Sequence, residues 1–395
     1  MRQTVRANPA ECTGCGACVS VCPKGAVSMK PDREGFLYPA VDAALCVGCD
    51  LCEKRCPAGK AQQAACKPAA FGVRDVRDDV RAASSSGGVF TALAESVLSR
   101  GGAVFGAVFG DDFKVEHVGA VSRDGIRPMR GSKYVQSDAA SALADVQDLL
   151  SRDIPVLFTG TPCQVAGLYA LLGKGRPGGL LTADFICHGV PSPGVFAAYL
   201  DALQKQQGSS LVDYSFRDKR LGWKDFSAAA RFADGTEHTG TQTTEPFLRG
   251  FLKNLYLRPS CHACTDLRYG GHAADLTIAD LWGAKDVFPD WDDDKGLSLV
   301  FANTPAGQRA LDACASLERR AIGDVSVLRR ANPSIFQPAA ANPHRAKFWN
   351  AFHKHGFSEE LVERCLRETR TEAAVKRIRR IPAALIRRTR SLLGR

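Results

Sequence analysis

The sequence predicts a mixed α+β and α/β protein, with a small cysteine-rich module in front and a helical, basic tail behind. Three observations carry this. Eight of the 15 cysteines stand within the first 56 residues, in one spacing used twice. From residue 84 onward, apolar segments of strand length alternate with helically spaced apolar positions. Residues 373–395 hold eight basic side chains and no acidic one.

The cysteines come first. Cys12, Cys15, Cys18 and Cys22 are spaced C-x2-C-x2-C-x3-C, and Pro23 follows. Cys46, Cys49, Cys52 and Cys56 repeat the spacing, and Pro57 follows. Three thiolates two residues apart wrap one corner of a 4Fe–4S cubane, and the fourth reaches the neighbouring cluster. The spacing therefore assigns Cys12, Cys15, Cys18 and Cys56 to one cluster, and Cys46, Cys49, Cys52 and Cys22 to a second. A zinc module would use two separated pairs instead. Residues 1–60 thus read as a bacterial-type two-cluster ferredoxin domain. The turn at residues 31–35, flanked by apolar residues 26–29 and 36–38, reads as a β-hairpin between the two runs.

Residues 61–83 show no clear period and read as a linker. A helix is expected from Val89 to Leu98, and residues 103–109 form an apolar strand. A helix over 138–151, a strand at 155–158, a helix through Leu172, a strand at 180–186 and a helix through Leu203 continue the alternation. Residues 211–260 read as antiparallel, with a turn at Asp234-Gly235, and residues 275–282 form a further strand. The boundaries expected are 84–152 and 153–335 for the two parts of the main domain. Residues 336–395 form a helical region.

Hydrophobic content of 45% and charged content of 24% fit a globular protein with a sizeable core. Residues 1–10 lack an apolar signal region, and no apolar run reaches about 18 residues. Cluster-loaded cysteines then place the protein in the cytoplasm. The net charge of +10 comes mostly from the tail, so a nucleic-acid partner is not expected. Val375, Ile378, Leu385 and Leu392 fall near one face of that tail. It reads either as a solvated basic segment or as a peripheral contact with an anionic membrane.

Residues 84–88, Ser-Ser-Ser-Gly-Gly, open a helix. A helix start without Cβ atoms in the way seats phosphate well, and it is also an ordinary cap. Gly160-Thr161-Pro162-Cys163-Gln164 and Cys187-His188-Gly189 each follow a strand, where ligands bind in open α/β sheets. With Cys261 and Cys264, Cys163 and Cys187 suit a third 4Fe–4S site, a zinc site, or plain buried thiols. Cys66, Cys314 and Cys365 stand alone and read as small hydrophobes. Thr161 and Asp280, at strand ends, are candidate cofactor contacts. Lys133, Tyr134 and His188 are candidate proton donors, each with a competing structural reading.

These motifs resemble those of the coenzyme F420 hydrogenase/dehydrogenase beta subunit family, in its form with a fused two-cluster ferredoxin domain. The segments are residues 85–89 (Ser-Ser-Gly-Gly-Val), 131–136 (Gly-Ser-Lys-Tyr-Val-Gln), 160–164 and 187–192, then Cys261-x-x-Cys264, Asp275-x-Thr277-x-x-Asp280-x-Trp282-Gly283, and Asn303-Thr304. The resemblance implies an FAD-binding iron–sulfur oxidoreductase, with a mixed α/β flavin-binding domain after the ferredoxin domain. Ser86, Gly87 and Gly88 would lie beside the flavin, and Cys163, Cys187, Cys261 and Cys264 would ligate a third cluster. Lys133 and His188 are the catalytic candidates. Ala279 departs from the glycine usual in relatives, which bears on ligand approach to Asp280. Electrons would run between a redox partner protein or small carrier, the clusters, FAD and an organic substrate. That substrate would be a coenzyme F420-type deazaflavin or an intermediate of cell-surface polysaccharide. The alternative is a non-catalytic electron-transfer subunit of a larger complex.

Overall fold

The computed structural model describes residue 5 and residues 9–60, 68–173, 175–265 and 271–367. The cysteine-rich module contains α1 (Ala17–Ser20), β1 (Val27–Pro31), β2 (Leu37–Val41) and α2 (Leu51–Lys54). β1 and β2 pair antiparallel between the two cysteine runs. The Asp32 carboxylate closes their turn, accepting the N–H groups of Glu34 at 3.0 Å and Phe36 at 2.9 Å.

The main domain begins with β3 (Ala69–Asp75), α3 (Asp78–Ala82), α4 (Val89–Leu98), β4 (Ala103–Phe109), β5 (Val115–Ala120), β6 (Ser137–Asp138) and α5 (Ala140–Ser151). It continues with β7 (Val156–Thr159), α6 (Pro162–Leu172), β8 (Leu180–Phe185), α7 (Pro193–Gln207), β9 (Leu211–Asp218), β10 (Ser227–Phe232), β11 (Glu237–Thr241) and α8 (Pro246–Leu252). Then come β12 (Leu276–Asp280), α9 (Ala284–Val287), β13 (Ser298–Ala302), α10 (Pro305–Asp312), β14 (Leu317–Ala321), α11 (Arg345–His355) and α12 (Glu359–Leu366).

Nine strands form one mixed sheet in the order β14-β3-β13-β12-β8-β7-β4-β5-β6. Its centre is parallel, from β4 through β7 and β8 to β12. Those strands are covered on both faces, which is why β4 and β7 read as unbroken apolar runs. The sheet takes strands from both sides of residue 152. The antiparallel β11-β10-β9 sheet is separate. It packs an aromatic core in which Tyr214 and Phe216 meet Phe196, Phe247 and Tyr199.

One reading needs correction. Within residues 61–83, assigned to a linker, β3 is an interior strand paired with β13 on one side and β14 on the other. Its partners lie more than 200 residues away, so no local period announces it. Residues 61–67 with Cys66, and the basic tail 373–395, lie outside the described residues. Cys314 and Cys365 are buried. Among the described residues no helix is long and apolar enough to cross a membrane.

The front of the cysteine module is part of the core. Cys15 and Ala17 share an apolar cluster with Leu143 and Val146 of α5 and Val165 and Leu168 of α6. Each large aliphatic side chain buried there contributes about 1.5–3 kcal/mol. The second run has a polar tether, from Arg55 Nη1 to the Ala170 carbonyl at 3.2 Å. Such a bond is worth about 1 kcal/mol. The first run and the hairpin add more, from Ser20 Oγ to the Ala140 carbonyl at 2.7 Å and from Arg345 Nη1 to Glu34 at 3.0 Å, so burial and polar contact together seat the module.

Candidate iron–sulfur centres

Four cysteines line one cavity: Cys12, Cys15, Cys18 and Cys56, with Pro57 and Met29 in the wall. Cys56 comes from the second run and stands among the first three of the first. Burial pushes the Cys15 thiol up to about 11, and Cys12 and Cys56 add to the rise. The Ala17 N–H and the Thr13 hydroxyl oppose it. Cys18 is raised further, first by burial and then by Cys15, Cys12 and Cys56. Cys22 is absent from that cavity's lining, and its sulfur accepts the Ala26 N–H at 3.3 Å. Cys46, Cys49 and Cys52 lie on an open loop and on α2. Cys49 is exposed, and so are its neighbours Leu45, Val47 and Leu51.

A second convergence involves three separate segments. Thr161 caps α6 in a capping box with Gln164, which fixes Cys163 in the first turn. Cys187 follows β8. Cys261 lies in a short 3-10 turn, Pro259–Ala263, and Cys264 follows directly. Burial raises the Cys163 thiol strongly, and Cys187, Cys264 and Cys261 each add to it. Burial likewise raises Cys187, with Cys261 and Cys264 adding and the Gly189 N–H opposing. The Val190 N–H donates to Cys261 Sγ at 3.4 Å. Cys163, Cys187, Cys261 and Cys264 are thus brought together.

Helix α6 links the two groups. Gly167 lies one turn beyond Cys163, and a Cβ there would stand 3.0 Å from both Cβ and Sγ of Cys15. Glycine lets the first cysteine run lie close against this helix, and a larger residue would press on Cys15.

Buried thiols that oppose one another's ionisation suit a cationic centre, because ligation takes the thiolate and the metal repays its charge. Among the described residues no group of three or more His, Cys, Asp or Glu side chains is arranged to hold a single ion. That applies equally to the eight cysteines of the first 56 residues. A cubane needs a wider arrangement, because its thiolates lie outside a cube of iron and sulfide.

The expected cofactor contacts are used inside the fold. Ser86 Oγ donates to the Leu297 carbonyl at 3.0 Å, and the Gly87 N–H donates to Ser298 Oγ at 2.9 Å. A Cβ on Gly87 would stand 2.4 Å from the Val73 carbonyl oxygen, and one on Gly88 would stand 2.9 Å from Asp75 Cβ. Glycine is needed here because α4 starts against the β3 and β13 backbones. Thr161 is spent on its cap. Asp280 accepts from Arg217 Nη1 at 2.8 Å and from Trp223 Nε1 at 3.0 Å.

Lys133 donates to the Arg130 carbonyl at 2.9 Å, and burial lowers it to about 8. His188 meets the Phe251 ring edge-on at 5.2 Å. Burial lowers its pKa, and its Nε2 has no partner among the described residues. The remaining family-like motifs serve packing. Asn303 donates to Thr277 Oγ1 at 2.8 Å, and Thr304 donates to Asp275 at 2.7 Å.

Sequence reading missed two residues. Gly167 had a signal, a glycine inside an apolar helix. Arg258 had a weaker one, a lone charge after Leu255-Tyr256-Leu257. Its side chain is fully buried, with Nε donating to the Cys12 carbonyl at 2.8 Å.

The fold and its cysteines define an iron–sulfur redox protein, a two-run cysteine domain set against a mixed α/β domain. Residues 11–60 match the 4Fe–4S dicluster domain model. Residues 70–144 match the N-terminal and residues 155–325 the C-terminal model of the coenzyme F420 hydrogenase/dehydrogenase beta subunit. The chain belongs to the coenzyme F420 hydrogenase/dehydrogenase beta subunit family. Among solved structures, a chain of the F420-reducing NiFe hydrogenase complex from Methanosarcina barkeri is similar at 22% identity. The match covers 68% of this chain and 89% of that one, with a TM-score of 0.47. No curated protein matches.

Proposed function

We propose that this protein relays electrons through three 4Fe–4S clusters between an external redox partner and an organic substrate. The outer cluster is held by Cys22, Cys46, Cys49 and Cys52, and the inner by Cys12, Cys15, Cys18 and Cys56. The third is held by Cys163, Cys187, Cys261 and Cys264. The observation that carries this is α6, whose first turn presents Cys163 and whose next turn touches Cys15. One helix thus gives the inner and third centres a common support. Potentials in such a relay are set by burial and by hydrogen bonds to sulfur. The N–H groups of Ala26 and Val190 on Cys22 and Cys261 are of that kind.

FAD is the natural acceptor beyond the third cluster, because flavin exchanges single electrons with clusters and hydride with organic molecules. Ser86, Gly87, Gly88, Thr161 and Asp280 are the residues that would seat it, with Ser86 Oγ, the Gly87 N–H, the Thr161 hydroxyl and the Asp280 carboxylate each already holding an internal hydrogen bond. The second reading is that the chain passes electrons to a catalytic partner, as a non-catalytic subunit. Lys133 and His188 stay as proton-handling candidates only under the first. The substrate class in that case is a deazaflavin or a cell-surface polysaccharide intermediate. Residues 373–395 would place such an enzyme at an anionic membrane, which liposome sedimentation with and without the tail decides.

The test is metal and flavin analysis of anaerobically purified full-length protein. About twelve irons per chain are expected, falling to about eight when Cys261 and Cys264 are both replaced by serine. Zinc, or unchanged iron in that variant, overturns the third cluster. Flavin in the wild type together with turnover of coenzyme F420 supports the enzyme, and flavin-free relay supports the subunit.

A further inference from the structure

Arg258 is a cation enclosed with almost nothing to bind. It is fully buried. Its Nε donates to the Cys12 carbonyl at 2.8 Å, inside the first cysteine run. The guanidinium lies over the Tyr38 ring at 4.0 Å and the Phe36 ring at 5.5 Å, both on the hairpin that separates the two runs. Nη1 and Nη2 are buried without a hydrogen-bond partner among the described residues. Nη1 stands 2.9 Å from where a Cβ on Gly14 would be, between Cys12 and Cys15. On the other side, the Arg258 carbonyl accepts the Cys261 N–H at 3.0 Å, its N–H donates to the Val190 carbonyl at 2.8 Å, and its charge favours the Cys261 thiolate against the burial that raises that thiol.

A buried guanidinium with most of its N–H groups unpaired is costly. Aromatic faces recover only a part of that. The remaining compensation has to be negative charge close by. A 4Fe–4S cluster with four thiolates is an anion, it gains a further negative charge on reduction, and its sulfurs accept hydrogen bonds. We propose that Arg258 is the positioning charge between the two interior centres, that of Cys12, Cys15, Cys18 and Cys56 and that of Cys163, Cys187, Cys261 and Cys264, and that it raises their potentials above that of the outer cluster and so draws electrons inward. This rests on the relay described above and adds its direction. The electron arrives from the outer cluster, which is oxidised by one electron as the inner is reduced by one. The fixed guanidinium charge stabilises the reduced state with no proton required. The cation beside the outer run is Lys54, whose Nζ donates to the Cys49 carbonyl at 3.5 Å, and it is exposed, so water screens its charge.

The experiment is an EPR-monitored redox titration of the full-length, cluster-loaded protein as wild type, Arg258→Gln and Arg258→Lys, with iron counted in each. In Arg258→Gln the equilibrium constant for reducing the inner cluster should fall at least tenfold, about 59 mV for one electron. The outer cluster should move less than twofold. Arg258→Lys keeps the charge and should hold the inner constant within threefold of wild type. An unmoved inner potential in an iron-replete Arg258→Gln overturns the proposal, as does an equal shift in both clusters. If Arg258→Gln fails to fold, Arg258→Lys decides alone, and a tenfold fall there overturns the role of charge. Absence of 4Fe–4S signals from the wild type removes the relay itself, an outcome distinct from intact clusters with unmoved potentials.

Discussion

The two cysteine runs share one spacing and differ in everything around it. The first run is interior. Cys12 and Cys15 are buried, Ala17 packs on α5 and α6, and Gly167 gives way to Cys15. The second run is peripheral apart from Cys56, with Cys49 exposed between exposed Leu45, Val47 and Leu51. Identical ligand chemistry is therefore used once as a piece of the core and once at an exposed surface. A relay needs both, an open end to meet a partner and a closed end to hand the electron on without water.

The largest effect expected is at the contact between α6 and the first run. In Gly167→Val the branched side chain meets Cys15, where overpacking costs about 3 kcal/mol. About four irons should be lost while the outer cluster stays. Iron per chain and the denaturant midpoint check this, and full iron at unchanged stability would show that the docking is not tight.

Next is a pH effect of the buried thiols, of which Cys15 is one and Cys314 another. The buried Cys15 thiol has its pKa raised from 9.0 to about 11, so folding favours its neutral form. That stabilisation is whole below pH 9 and disappears as pH rises to 11. The gap corresponds to about 3 kcal/mol in the metal-free protein. Cys15→Ala should make the fall in stability over that range shallower by one thiol's share, and Cys314→Ala should remove a similar share.

The same contrast governs reactivity. In metal-free protein, a maleimide probe should label Cys49 first. The raised pKa alone makes the Cys15 thiolate roughly a hundredfold scarcer than that of an ordinary thiol at neutral pH. Mass mapping of labelled peptides reads the order, and early labelling of Cys15 would break the distinction between interior and periphery.

The smallest effect on stability belongs to the open face. Leu45→Ser with Val47→Ser should change the unfolding free energy by about 0.5 kcal/mol or less. Reduction by a protein donor should slow, and reduction by dithionite should not. Equal rates with both donors would place the partner elsewhere.

Much of this was legible in the sequence for a physical reason. Cluster ligation sets a short spacing, and two-sided burial sets unbroken apolar runs, so the cysteine module, β4 and β7 announce themselves locally. Long-range pairing is not local. β3 carries Phe71-Gly72-Val73-Arg74, an ordinary mixed segment, and becomes a strand only because β13 and β14 close on it. Ser86 and Gly87 carry a phosphate-like motif, but the neighbouring backbones decide its use. Arg258 looks like any surface charge until the hairpin and the Cys261 turn enclose it.

The central claim is that one cysteine of the second run belongs to the interior centre. Cys56→Ser tests it directly. EPR of the reduced full-length variant is read against Cys15→Ser, which marks the interior signal, and Cys49→Ser, which marks the peripheral one. Loss or perturbation of the interior signal, with the peripheral signal intact, is the result expected. Perturbation of the peripheral signal alone would contradict it.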